Sequence, residues 1–112
     1  MNKVCIVMGV GPGKAFVRRF SDEGYQVAML ARSKDYLLQL EQSISNTYAF
    51  PCDLMEPEQI GSVLASIRDK LGPASVLLYN AGGGVFKSVE DASLEDFEAN
   101  WRINVQGLVA AT

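Results

Sequence analysis

The sequence predicts an α/β fold in which a parallel sheet is covered by helices on both faces. Short apolar runs rich in β-branched residues alternate with longer segments whose apolar residues recur at helical spacing. Continuously apolar strands are typical of parallel sheets, because crossover helices bury both faces of the sheet. The pattern predicts about four strands and about four helices. The 112 residues are enough for one domain with a modest core, so residues 1–112 are predicted to form a single domain.

The first half of the chain alternates strand and helix, with clear stop and start signals. Gly24 is suited to end the first helix, and Ser33 is a good N-cap for the second. Leu37 and Leu40 then recur at helical spacing, and Pro51 is expected to close the third strand. The predicted strands are residues 3–8, 26–31 and 47–50, and the predicted helices are residues 13–23 and a segment after Ser33.

The second half continues the same alternation. A third helix is predicted from Pro57, which suits a first helical turn, to the Gly72-Pro73 pair that ends it. Residues 75–79 are predicted to form the fourth strand, and a glycine loop follows. One face of the third helix is apolar and consists of Ile60, Val63, Leu64, Ile67 and Leu71.

The last helix is predicted to begin near Ser93. Asp96 stands three residues later, which is a variant of the capping box that usually has Glu or Gln there. The helix is predicted to continue to the end of the sequence, and this reading suggests a truncated chain. Its predicted inward stripe consists of Leu94, Phe97, Trp101, Asn104 and Leu108.

Composition and charge exclude several classes of function. The net charge of −3 argues against a nucleic-acid surface, and no apolar run approaches the ~20 residues of a membrane span. The two cysteines, Cys5 and Cys52, lie in apolar settings and are predicted to be reduced, buried thiols of a cytoplasmic protein. With no histidine, the chain has almost nothing from which to build a zinc site, so no metal is expected.

The glycine-rich stretch after the first strand is the first candidate binding site. Gly9, Gly11 and Gly13 predict a turn that lets backbone N–H groups approach a phosphate, with the positive end of a helix dipole behind it. The dinucleotide fingerprint G-x-G-x-x-G is not matched, because its third glycine position falls on Lys14. A tight strand-to-helix turn without a ligand therefore remains an alternative.

The second strand is followed by a positive charge. NAD-specific sites usually place an acid here to bind the ribose 2′-hydroxyl, whereas Arg32, followed by Ser33, suits a 2′-phosphate. The alternative is an ordinary solvated arginine.

The third and fourth strands end in further candidates along the same rim. Asp53, followed by Leu54, can accept a hydrogen bond from an adenine amino group, or it can cap the next turn. Asn80, Ala81 and Gly82 are small enough to let the backbone lie close to a ribose or nicotinamide, or they form another tight turn.

Taken together, these residues resemble the short-chain dehydrogenase/reductase family. The resemblance spans the chain but only the first half of a typical member, and implies a Rossmann-type domain that transfers hydride between a nicotinamide and a carbonyl or alcohol. Its motifs are Gly9-Val10-Gly11-Pro12-Gly13, Asp53-Leu54, Asn80-Ala81-Gly82-Gly83 and Asn104-Val105-Gln106-Gly107.

The resemblance also implies roles for single residues. Gly9 and Gly13 match the first two glycines of the family turn G-x-x-x-G-x-G, and Arg32 matches the basic residue of NADP-preferring members. Asp53 matches the acid that contacts adenine, and residues 80–82 match the loop below the nicotinamide. Asn104 matches the asparagine that orders a water in the proton relay, although a structural hydrogen bond to backbone is an alternative role for it.

Two departures from the family pattern stand out. Ala15 occupies the position of the third family glycine, and the stretch from Gly9 to Gly24 is about two residues shorter than the family pattern. In addition, none of the four tyrosines is followed four residues later by a lysine, so the family's Tyr-x-x-x-Lys pair and its proton donor are absent.

The resulting hypothesis is the NADP-preferring, cofactor-binding part of an oxidoreductase that is inactive as this chain alone. NAD is the less favoured cofactor, and a small carbonyl or alcohol is the implied substrate. Alternatives are a non-catalytic nucleotide-binding or interaction module and, more weakly, a flavodoxin-like FMN binder. Self-association is expected through residues 76–79, which would form an apolar sheet edge without charge or proline, or through the last helix with Phe97 and Trp101; the alternative is a chain that is unstable alone.

Overall fold

The structure is a computed structural model that describes residues 3–81, 88 and 90–112. Its strands form one parallel sheet in the order β3-β2-β1-β4, which confirms the predicted fold class. The strands are β1 (Val4–Met8), β2 (Gln26–Ala31), β3 (Thr47–Pro51) and β4 (Val76–Tyr79). The helices are α1 (Val10–Asp22), α2 (Lys34–Ser43), α3 (Pro57–Leu71), α4 (Leu94–Trp101), a π-helical segment (Arg102–Gln106) and α5 (Gly107–Ala111).

The sheet separates two apolar clusters, one on each face. Alternate residues of β1 point to opposite faces, so Cys5 and Val7 pack with α1 and α2, whereas Ile6 and Met8 pack with α3 and α5. All of β1 is buried, because strands pair with both of its edges and helices cover both of its faces. None of the described helices combines the length and apolar character needed to cross a bilayer.

Several local signals are confirmed. Ser33 caps α2, its hydroxyl accepting a hydrogen bond from the Tyr36 backbone N–H, and Gly24 adopts a left-handed φ of 91° after α1. Ser93 and Asp96 form both hydrogen bonds of a capping box at the start of α4. The prediction that Pro51 lies outside β3 is wrong by one residue. Because β3 is an edge strand, a residue without an N–H is tolerated there.

The predicted glycine-rich loop is wrong. Helix α1 begins at Val10 rather than at residue 13, so Gly11 and Gly13 are helical. Gly9 makes the turn by itself with a left-handed φ of 89°, and its N–H donates to the Leu30 carbonyl at 3.0 Å. Pro12 does not interrupt the helix, because the N–H groups of a first turn have no intrahelical acceptor.

The inward stripe predicted for the last helix is also wrong. Its five members are all exposed, and the side that meets the core instead carries Ile103, Gly107 and Ala111. The helix is not regular, because a π-helical segment separates α4 from α5, and Gly107 N–H donates to the carbonyl of Arg102, five residues earlier. A π turn shifts the faces of a helix and has no simple signature in apolar spacing.

Candidate functional site

The carboxyl ends of all four strands meet at one edge of the sheet. In the strand register, Met8 of β1 lies opposite Leu30 of β2 and Tyr79 of β4. Beyond the strands, backbone hydrogen bonds join the residues that follow them into one continuous rim. These bonds run from Cys52 N–H to Ala31 C=O (2.9 Å), from Gly9 N–H to Leu30 C=O (3.0 Å) and from Asn80 N–H to Met8 C=O (2.8 Å).

Gly9 and Asn80 lie at the point where the chain changes direction across the sheet. The chain adds β2 and β3 on one side of β1 and then returns to add β4 on the other side. The crevice between two such neighbouring strands is where open α/β sheets bind their ligands. The structure therefore brings the first and last predicted cofactor loops together at the switch point.

The backbones of these two loops are in close contact. A Cβ placed on Gly9 would lie 2.6 Å from Ala81 Cα and 2.7 Å from the Asn80 carbonyl carbon. Gly9 also has a left-handed φ, which side chains rarely adopt. Only glycine fits at this position without displacing the β4 loop.

The glycine turn that the sequence predicts as a phosphate site is smaller than expected. Because Gly11 and Gly13 belong to α1, the N–H donors at the helix start come from Val10 and Gly11, and Pro12 supplies none. The helix dipole still directs its positive end toward the rim. This arrangement can attract an anion, although it lacks the open glycine loop that surrounds a pyrophosphate.

Arg32 lies directly after β2 and is exposed at the rim. Within residues 3–81, 88 and 90–112, no carboxylate forms an ion pair with it. Its guanidinium can therefore bind a phosphate without first breaking an ion pair. The Ser33 hydroxyl accepts the α2 cap hydrogen bond at 3.3 Å, and its own proton can still be donated to a ligand.

Asp53 has the capping role that was the alternative to binding adenine. Its Oδ1 accepts from the Met55 backbone N–H at 3.0 Å, and its own N–H donates to Gln59 Oε1 at 3.1 Å. The carboxylate is half-buried at the rim, and its second oxygen can still accept a hydrogen bond from a ligand. Leu54 is buried in the core, where its side chain is available only for packing.

The last candidates have different positions. Asn80 and Ala81 are half-buried beside Gly9, whereas Gly82 lies outside the described residues. Asn104 is exposed in the π-helical segment, and Trp101 before it and Leu108 after it are exposed as well. Its exposure makes the side chain accessible to a ligand, which its expected place on an inward apolar face would not have done.

The structure adds Tyr79 to this region. Its hydroxyl donates a hydrogen bond to the Ile103 carbonyl in the π-helical segment, and burial raises the pKa of the phenol. Gly107 lies beside it in the buried start of α5. The position of Tyr79 directly before Asn80 was visible in the sequence, but its partner, 24 residues later, was not.

Both cysteines are buried free thiols, as the sequence predicted. Burial raises the pKa of Cys5 to about 11. Burial and, secondarily, the nearby Asp53 carboxylate raise the pKa of Cys52. At neutral pH both groups are therefore protonated and weakly nucleophilic.

Comparisons with known proteins agree with this geometry. The profile of the family described as short chain dehydrogenase matches residues 3–112. Glucose 1-dehydrogenase of Gluconobacter oxydans is 31% identical over 96% of this chain and 43% of its own length.

Solved structures show the same architecture. L-Sorbose reductase from Gluconobacter frateurii, complexed with NADPH and L-sorbose, superposes with a TM-score of 0.92 and 27% sequence identity. The match covers 98% of this chain and 44% of the reductase. A blue fluorescent protein from a metagenomic library, in complex with NADPH, superposes with a TM-score of 0.92 and 30% sequence identity. The match covers 97% of this chain and 48% of the blue fluorescent protein. The chain thus spans less than half the length of these relatives. It belongs to the short-chain dehydrogenase/reductase family.

Proposed function

We propose that this chain is the cofactor-binding part of an oxidoreductase that uses NADP(H) in preference to NAD(H). The reaction is hydride transfer between the nicotinamide and a small carbonyl or alcohol. The observation that carries this proposal is the position of Arg32, an exposed cation directly after β2 on the rim that also holds Gly9 and Asn80. An acid at this position would favour the free ribose hydroxyls of NAD.

The relatives support both parts of the proposal. The sorbose reductase and the blue fluorescent protein were each solved with NADPH, and the sorbose reductase also with a sugar. On the rim of this chain, Gly9 and the start of α1 would face the pyrophosphate, Arg32 and Ser33 the 2′-phosphate, Asp53 the adenine, and Asn80 and Ala81 the nicotinamide side. The buried thiols suit a cytoplasmic protein.

Catalysis by these 112 residues alone is not expected. Hydride transfer to a ketone leaves an alkoxide that must receive a proton, and general acids typically contribute ~10²–10⁴ in rate. The chain contains no Tyr-x-x-x-Lys pair to supply it. Asn104 is proposed only to order a water in the relay that such a pair would begin.

Replacing Arg32 tests the cofactor preference. NADPH is expected to bind the unmodified chain more tightly than NADH, because a phosphate–guanidinium bond contributes roughly 1.5–3 kcal/mol, or about ten- to a hundredfold in Kd. Arg32→Asp is expected to abolish that difference. Titration of both cofactors, followed by nicotinamide fluorescence, measures it.

Arg19→Asp is the matched control. It makes the same change of charge in the last turn of α1, where the exposed Arg19–Glu23 ion pair contributes little to stability. Its NADPH affinity is expected to stay within about twofold of the unmodified chain. Equal affinities for NADPH and NADH in the unmodified chain would contradict the role of Arg32, and no binding by the folded chain would favour a non-catalytic interaction module.

We further propose that the chain self-associates through its last helical segment. Leu94, Phe97 and Trp101 are exposed at helical spacing along α4, and Val105 and Leu108 continue the row. Covering about 400 Å² of such apolar surface contributes about 10 kcal/mol, which is comparable with the cost of association. A second copy of this chain presents the same apolar row and can cover it.

Trp101→Glu is expected to weaken this association by about thirtyfold or more, because buried tryptophans at interfaces typically contribute at least 2 kcal/mol. Sedimentation over a range of concentrations measures the effect. The control is Leu38→Glu, which makes a similar change at an exposed apolar residue of α2. Trp101 is the one tryptophan, so its emission should shift to the blue as the protein associates. A folded monomer at high micromolar concentration would refute this proposal.

A further inference from the structure

One side chain joins the end of β4 to the π-helical segment. Tyr79 is the last residue of β4, and its ring packs against the core cluster on the face covered by α3 and α5. From there its hydroxyl donates a hydrogen bond to the backbone carbonyl of Ile103. The bond therefore connects the rim of the sheet to the middle of an irregular helix.

Gly107 makes room for this contact. A Cβ at Gly107 would lie 2.9 Å from the Leu54 carbonyl oxygen and would collide with the Tyr79 hydroxyl. The tip of the phenol thus occupies the space that a side chain at position 107 would need. The close approach of α5 to the sheet and the tyrosine hydrogen bond depend on each other.

The register of the π-helical segment decides where Asn104 points. A π turn holds one residue more than an α turn, and each residue of a helix corresponds to about 100° of rotation. Converting Arg102–Gln106 to α-helix would therefore turn the residues on its two sides relative to each other by that angle. Whatever holds the π turn also determines how the side chains of Arg102–Gln106, Asn104 among them, are oriented relative to α4.

We propose that Tyr79 is a positioning residue whose hydrogen bond to Ile103 holds the π-helical register and thereby sets the orientation of Asn104. The raised pKa of Tyr79 is consistent with this role, since the phenol stays protonated and able to donate at neutral pH. That Tyr79 holds the π-helical register does not depend on the proposed function. That this register matters for proton transfer rests on the proposed function.

Tyr79→Phe removes the hydroxyl and leaves the ring, and Tyr48→Phe makes the same change on β3 against the same core cluster. In the full 112-residue chain, Tyr79→Phe is expected to speed hydrogen exchange of the amides at 107–111 roughly two- to tenfold, as loss of one hydrogen bond implies. It should also shift the side-chain amide resonances of Asn104. Tyr48→Phe should change neither.

A measurement on the unmodified chain covers the case in which Tyr79→Phe does not fold. In a mixture of H₂O and D₂O, a hydroxyl protected by a hydrogen bond exchanges slowly, so the Cζ resonance of Tyr79 should split into two lines. A single averaged line, or Asn104 resonances in Tyr79→Phe that match those in Tyr48→Phe, would overturn the proposal. No cofactor is used, so a failure to bind NADPH would not affect this result.

Discussion

Gly9→Ala is expected to lower the free energy of unfolding by about 2–5 kcal/mol, a large part of the stability of a small domain. A left-handed φ costs a non-glycine residue roughly 1–2 kcal/mol, and forcing a methyl group into a packed site typically costs 1–3 kcal/mol. Both penalties apply, because φ at Gly9 is 89° and the added Cβ would lie 2.6 Å from Ala81 Cα. Urea unfolding followed by circular dichroism measures the change.

Gly61→Ala is the control, and it should change stability in the opposite direction. Gly61 lies inside α3 with nothing within 4 Å of its added Cβ, so alanine is expected to stabilise the helix by up to about 1 kcal/mol. The two variants add the same methyl group, and only the surroundings differ. Equal stability of Gly9→Ala and the unmodified chain would mean that the loop after β4 does not pack against Gly9 in solution.

Lengthening the turn after β1 is expected to raise NADPH affinity by at least about tenfold. Because α1 begins at Val10, Gly9 is the whole turn, and few N–H groups are available to a pyrophosphate. Inserting Leu-Gly between Gly13 and Lys14 would give Gly11 and Gly13 room to leave the helix and form a loop. One further hydrogen bond to a charged phosphate contributes about 1.5–3 kcal/mol, which corresponds to this gain. Titration with NADPH measures it.

The control insertion places the same two residues between Pro73 and Ala74. That loop precedes β4 and so lies at the opposite edge of the sheet, where it should leave the cofactor affinity unchanged. Combining the Leu-Gly insertion with Arg32→Asp should remove the preference for NADPH while keeping the new phosphate contact. An unchanged NADPH Kd in the lengthened chain would show that turn length is not what limits binding.

Several features could be predicted from the sequence because their causes are local. The apolar run of β1 and the apolar face of α3 both lie in the core. Their composition and spacing were sufficient to predict a buried strand and an amphipathic helix. The Ser93–Asp96 capping box and the left-handed Gly24 depend on residues within one turn of chain. The strand-end residues met on one rim because parallel strands end at the same edge.

The remaining features depended on contacts between distant segments, which no local pattern contains. The start of α1 moved to Val10 because Gly9 could turn alone against the loop after β4. The apolar row on α4 lies outward because Ile103 and Gly107 occupy the side nearest the sheet. The sequence by itself determined which residues prefer strand, helix, cap or turn. Only the tertiary structure decided which helix face is covered and where the π turn forms, because those choices minimise the free energy of packing between segments far apart in the chain.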